Sequence, residues 1–240
     1  KLSGRRALFN LNFKLLRFFN SMAFGRLWDF KTNGELELLK RLSTNIDIRV
    51  FFDVGANTGE YYKEVSKILS SHQVAYHLFE PSAKTFTELE SNLAGVSNAR
   101  LNPVALGSDV LLNRSFYSFK SNTLSGFYSS SEKESKIELV SEITIDKYCK
   151  DQGIFEIDFL KIDVEGHELQ VLKGGKILLD RGKIKVIQFE FGINSIQARI
   201  YFKDFFDLLS QDYNLYLILS GGVHLIDRYY FELESFGKVS

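Results

Sequence analysis

The spacing of apolar and polar positions changes character along the chain. Up to about residue 31, Leu8, Phe9, Leu11, Phe13, Leu15, Leu16, Phe18 and Phe19 interleave with Lys1, Arg5, Arg6, Lys14, Arg17, Arg26 and Lys31, against one acid, Asp29. That density predicts a basic amphipathic helix. Such a helix can pack on the domain, or dock on an anionic membrane or a partner protein. "TNGELELLKRL", Thr32 to Leu42, predicts a second helix, with Leu36, Leu39 and Leu42 on one face and Asn33 as its cap. After Asp47 the texture becomes short, continuous apolar runs. "IRVFFDVGA" reads as a strand buried on both faces, and "VAYHLFEP", "NARLNPVALG", "IDFLKIDV" and "IKVIQFEFG" read as further strands. "TGEYYKEVSKILSSH", "SAKTFTELESNL" and "IYFKDFFDLLSQ" carry helical spacing between and after them, the last with Phe202, Phe205, Phe206 and Leu209 on one side.

Strands alternating with helices at this pace predict βαβ units and a doubly wound, Rossmann-like α/β domain, mostly parallel, with helices on both faces. Two segments break the pace. Ser121 to Lys136, "SNTLSGFYSSSEKESK", is Ser-rich with mixed charge and reads as a loop or lid at about 121–137. "IELVSEITIDKYCKDQGI" predicts a short strand, then a short helix capped near Thr144 or Asp146. "NLYLILSG" and "VHLIDRYYFEL" close the chain as an antiparallel pair joined by Gly221 and Gly222. The layout expected is a helical extension over 1–45 and one α/β domain over 46–240.

Composition narrows the classes of function. With 30 basic and 30 acidic residues the net charge is zero, so no overall field draws the protein to nucleic acid. Cys149 is the single cysteine, which excludes an intramolecular disulfide and a thiolate zinc site and suits a reducing compartment. A cytoplasmic protein is expected, with peripheral contact to a membrane or protein through residues 1–31. The first residue is Lys1 rather than Met, which leaves open a longer natural chain with a leader.

Candidate chemistry gathers at strand ends. "FFDVGANTG" is strand, glycine turn and helix, with Asp53, Gly55, Ala56, Asn57 and Gly59. The first βα turn of such a sheet is where a nucleotide-like ligand sits, with glycine admitting the close approach of backbone. G-A-N-T-G lacks the middle glycine of the dinucleotide fingerprint. Asp53 would repel a pyrophosphate and suits a cationic ligand, such as the amino group of S-adenosylmethionine. "HLFEP" ends in Glu80 and Pro81, where a carboxylate can accept from both ribose hydroxyls. Ala105 and Leu106 of "NPVALG" are candidates to flank an adenine.

"FLKIDVEGHELQVLKGG" is the second concentration. Alternation puts Phe159, Lys161, Asp163 and then Glu165 on one side, with Leu160, Ile162 and Val164 on the other. A buried lysine needs a partner, so Lys161 is expected to pair with a carboxylate and hold the strand tip. Glu165 or His167 could take a proton from an acceptor hydroxyl. Asp163, Glu165 and Glu190, with His167, could instead hold a hard divalent ion, a weaker reading because no spacing here is diagnostic of a metal.

These stretches, namely "FDVGANTGEY", "LFEPSAKTFTELESNL", "NPVALG" and above all "TIDKYCKDQGIFEIDFLKIDVEGHELQVLKGG", resemble the FkbM family of S-adenosylmethionine (SAM)-dependent methyltransferases. The resemblance spans about residues 50 to 192. It implies a seven-stranded sheet with a reversed last strand, and O-methylation of a hydroxyl on a sugar, glycan or other small metabolite. It implies that Asp53, Gly55, Asn57 and Glu80 lie at SAM, and Asp163, Glu165 and His167 near the methyl group. Two other readings compete: a nicotinamide-dependent oxidoreductase on a related fold, which the missing glycine and Asp53 disfavour, and a non-catalytic adaptor docking through its first helix.

Overall fold

The computed structural model describes residues 29–118, 125–128 and 136–235. The expected first helix and most of the Ser-rich loop lie outside these residues. The central sheet has five parallel strands: β1 (Val50–Val54), β2 (Ala75–Phe79), β3 (Ala99–Asn102), β7 (Ile157–Ile162) and β8 (Ile184–Phe189). Their order is β3-β2-β1-β7-β8. The chain leaves β1 in one direction toward β3 and later returns on the other side through β7. The carboxyl ends of β1 and β7 therefore flank the point where strand order reverses, which is where such sheets open a crevice.

Both faces of the sheet are covered, so the central strands β1 and β7 are buried along almost their whole length. Phe51 of β1 stacks on Phe159 of β7 at 4.8 Å. Together with Tyr76 and Leu78 they pack under α1 (Glu35–Ser43), α2 (Glu60–Ile68) and α3 (Ala83–Asn92), through Leu39, Tyr61, Val65 and Leu89. The alternate residues Phe52, Val54, Leu160 and Ile162 face α4 (Ile145–Gln152), α5 (Glu168–Lys173), α6 (Lys176–Asp180) and α8 (Phe202–Leu209). A short α7 (Ile193–Gln197) lies between β8 and α8. Thr144 caps α4 by accepting from the Lys147 N–H at 3.0 Å, and Gly153 ends it in a left-handed conformation.

Three departures from the sequence pattern have local causes. "NARLNPVALG" is two strands rather than one. Pro103 has no N–H to donate, so β3 stops at Asn102 and β4 (Ala105–Leu106) starts a second sheet. There β4 runs parallel to β6 (Lys136–Ile143), and β5 (Leu111–Ser118) pairs with β6 antiparallel, through an irregularity between Leu111 and Arg114. The strand β5 has no counterpart in the sequence reading. It leaves Leu111 and Leu112 exposed and so lacks the continuous apolar signal of the central strands.

The third departure concerns the end of the chain. β9 (Leu215–Leu219) and β10 (Gly222–Ile226) form the expected antiparallel hairpin, ahead of a 3-10 turn at Phe231–Ser235. Among the described residues the two strands of this hairpin pair with each other and with no strand of the central sheet, which has five strands rather than seven with a reversed last one. α1 packs on it instead. A Cβ on Gly34, whose φ is +108°, would lie 2.2 Å from the carbonyl oxygen of Leu219. No helix among the described residues is long and apolar enough to cross a membrane.

The turn after β1 depends on a similar contact. Gly55 has φ +85°, and a Cβ there would sit 1.8 Å from the backbone oxygen of Asp163. The close approach of the chain after β7 demands its lack of a side chain. Gly55→Ala is therefore expected to destabilise the fold by at least about 2 kcal/mol, read as a lowered urea midpoint. A variant with wild-type stability would contradict that contact.

Candidate functional site

A cleft of about 620 Å³ opens at the carboxyl ends of β1, β2, β7 and β8, within the range of small-molecule sites. Of the residues singled out in the sequence, Gly55, Ala56, Asn57, Glu80, Pro81, Ala105, Leu106, Lys161, Asp163, Glu165 and Glu190 line it. Asp53, Gly59 and His167 do not. Gly59 faces α3, where its Cβ would meet Leu89 at 2.9 Å.

At the cleft floor is a buried ion pair, with Lys161 in the lining and Asp53 beneath it. Parallel register sets Asp53 beside Lys161 on adjacent strands, both on the Phe51–Phe159 face. Lys161 Nζ donates to Asp53 Oδ1 at 3.3 Å and to Asp163 Oδ2 at 3.4 Å, and lies 4.6 Å from the Tyr61 ring centre. Burial opposes its charge, yet Asp53 and Asp163 outweigh that and hold the ammonium above its ordinary pKa. Burial in turn pushes the Asp53 carboxyl up, against the pull of Lys161. Asp53 Oδ2 is buried without a hydrogen-bond partner. Asp53 thus pairs with Lys161 from below the cleft rather than standing in its wall.

At the β2 end, Glu80 is buried and its two oxygens accept from the N–H groups of Asn57 at 3.1 Å and Ser82 at 3.0 Å. Burial pushes its carboxyl up to about 7. Glu80 therefore holds the turn in which Asn57 takes a left-handed φ of 49°. Each of its oxygens retains a lone pair for a ligand hydroxyl.

At the β7 end, Glu168 fixes the loop that follows the strand. Its Oε1 accepts from Val164 N–H at 3.0 Å and Gly166 N–H at 3.1 Å. In this loop Glu165 takes a left-handed φ of 54°, and its carboxylate accepts from the Asn194 amide. The loop brings one oxygen each of Asp163, Glu165 and Glu190 within 4.8 Å of one another. Three half-buried carboxylates so close suit a hard cation, or acceptance of hydroxyl protons.

His167 is fully buried beside them, in a cluster of its own. Its Nε2 lies 3.2 Å from Glu142 Oε2, its Nδ1 lies 3.4 Å from the Tyr128 hydroxyl, and Phe127 covers the ring at 4.4 Å. Arg114 donates to Glu142 and stacks on Phe127 at 4.1 Å. Burial lowers the imidazole pKa. His167 thus ties the β7 loop to the second sheet. From the Ser-rich segment, Ser125 and Phe127 reach the cleft wall.

The sequence reading missed the far wall. Phe30, Asn33, Glu35, Tyr61 and Gln188 all line the cleft. Two weak signals were available. Gln188 interrupts an apolar strand two positions before Glu190, and Glu35 stands one helical turn before the buried Leu39.

Comparison with known proteins agrees with the resemblance in the motifs. Residues 53–215 match the family described as the methyltransferase FkbM domain. No curated protein matches the sequence. Among solved structures, a methyltransferase FkbM from Methylobacillus flagellatus KT is 17% identical with a TM-score of 0.46, over 70% of this chain and 39% of that one. The METTL16 MTase domain is 10% identical with a TM-score of 0.46, over 82% and 65% of the two chains. The N-terminal domain of human METTL16 in complex with SAH is 13% identical with a TM-score of 0.43, over 75% and 60%. The chain spans less than two thirds of each of these structures.

The buried pair makes its own prediction. Lys161→Met leaves Asp53 buried without a counter-charge and is expected to cost about 3–5 kcal/mol in urea unfolding. Adding Asp53→Asn should recover much of that loss. A double variant as unstable as the single one would deny the coupling.

Proposed function

The chain belongs to the FkbM methyltransferase family, whose methyl donor is SAM, and we propose that it transfers a methyl group from SAM to a hydroxyl of a sugar, glycan or other small metabolite. The observation that carries this reading is the charge of the cleft. Among its described lining residues Lys161 is the only cationic side chain, against Glu35, Glu60, Glu80, Asp163, Glu165 and Glu190. SAM carries a sulfonium and an ammonium and fits such a lining. A phosphate-rich dinucleotide would be repelled by it.

When bound, SAM supplies the electrophilic methyl group. The protein's share is to hold the donor, orient the acceptor and receive its proton. Glu80 is assigned to the ribose hydroxyls, with Asn57, Pro81, Ala105 and Leu106 around the nucleoside. Asp163 is shared between the donor and the acceptor side. Glu165 is the assigned base, because it lines the cleft whereas His167 is buried behind it. Lys161 and Asp53 position Asp163 from below.

Three measurements test this reading. A carboxylate accepts from hydroxyls more strongly than a carboxyl does. With Glu80 pushed up to about 7, SAM affinity in calorimetry should rise as pH passes from 6 to 8. Glu80→Gln should bind about tenfold more weakly and lose that rise; a parallel pH profile in the variant would remove Glu80 from the site. Methyl-labelled SAM incubated with fractionated glycans and metabolites should yield an O-methyl ether, and a labelled amine or protein would replace the acceptor class. With that acceptor, Glu165→Gln should cut transfer roughly a hundredfold and leave SAM affinity intact. A wild-type rate would exclude it as the base.

A further inference from the structure

The wall of the cleft formed by Phe30, Asn33 and Glu35 precedes the residues that match the family. Glu35 is 7% exposed. Its Oε1 accepts from Asn33 Nδ2 at 2.5 Å and its Oε2 from Gln188 Nε2 at 2.6 Å. Asn33 Oδ1 accepts the Glu35 N–H at 3.0 Å. Gln188 Oε1 lies 3.5 Å from the Tyr61 hydroxyl, and the Tyr61 ring lies under Lys161. Gly34, pressed against the backbone of β9, fixes the turn from behind. Side chains or backbone of α1, α2, β7, β8 and β9 thus hold one carboxylate in place.

Among the described residues, no ammonium or guanidinium forms a salt bridge with that carboxylate. The ammonium of Lys161 is already shared between Asp53 and Asp163. Burial, above all, holds the Glu35 carboxyl above its ordinary range, against the pull of Asn33, Lys161 and Gln188. A desolvated carboxylate in this position is costly until a cation approaches, and each of its oxygens retains a lone pair for one.

We propose that Glu35 is a further ligand-binding residue of this cleft, receiving the ammonium of the donor's amino-acid portion. The proposal rests on the reading of the cleft as a SAM site. It assigns donor recognition to a segment outside the matched family region. Glu35→Gln keeps the size of the side chain and removes its charge.

The test is calorimetric titration of the full chain with SAM and, separately, with adenosine, which lacks the amino-acid portion. Glu35→Gln is expected to raise the SAM Kd by about tenfold or more and to leave adenosine binding unchanged. Glu35→Asp, which keeps the charge one methylene shorter, should recover most of the affinity. SAM affinity unchanged in Glu35→Gln would overturn the assignment. So would a loss of adenosine binding in step with SAM, or Glu35→Asp as weak as Glu35→Gln, since these mark a structural role. A wild-type protein that binds neither molecule would overturn the reading of the cleft itself and the assignment with it.

Discussion

The Lys161–Asp53 pair is the constraint on which the rest of the site depends. Two strands buried on both faces could be wholly apolar, and hydrophobic burial alone would favour that. Instead, parallel register places an ammonium and a carboxylate side by side in the centre of the sheet. Desolvation makes each untenable alone, so each fixes the other. Lys161 also reaches Asp163, and in that way the tip of β7 is tied to β1. The carbonyl of Asp163 in turn presses on Gly55, so the two sides of the cleft are locked at one distance.

From that anchor the acidic lining follows. Glu80 braces the turn after β1, and Glu168 braces the loop after β7, each by accepting backbone N–H groups. Both carboxyls are pushed up to about 7 by burial. Glu80 both shapes its turn and lines the cleft, whereas Glu168 shapes the β7 loop without being part of the lining.

Much of this was legible in order along the chain. Continuous apolar runs marked the central strands, and the helical spacing between them marked the covering layers. The alternation in "IDFLKIDV" correctly separated Phe159 and Lys161 from Leu160 and Ile162. It also raised the need for a partner to Lys161, which the structure supplies as Asp53. Alternation said nothing of how the chain turns after Val164. A left-handed Glu165 and the buried Glu168 carry Glu165 into the cleft and leave His167 behind it. β5 escaped notice because a half-exposed strand in a small sheet has little apolar signal, and the hairpin at the end of the chain read the same whether or not it joined the central sheet.

The sequence by itself determined the alternation of strands and helices, the family, the strand-end carboxylates and the pairing that Lys161 required. These are matters of local period and residue type, and the chain displays them one after another. Only the tertiary structure decided which carboxylates share a cleft, that Asp53 lies beneath it rather than in its wall, and that Glu35 closes it. Those are contacts between residues separated by up to 153 positions, as for Glu35 and Gln188. No local pattern encodes them, because they exist only once the two ends of the domain are packed on the same sheet.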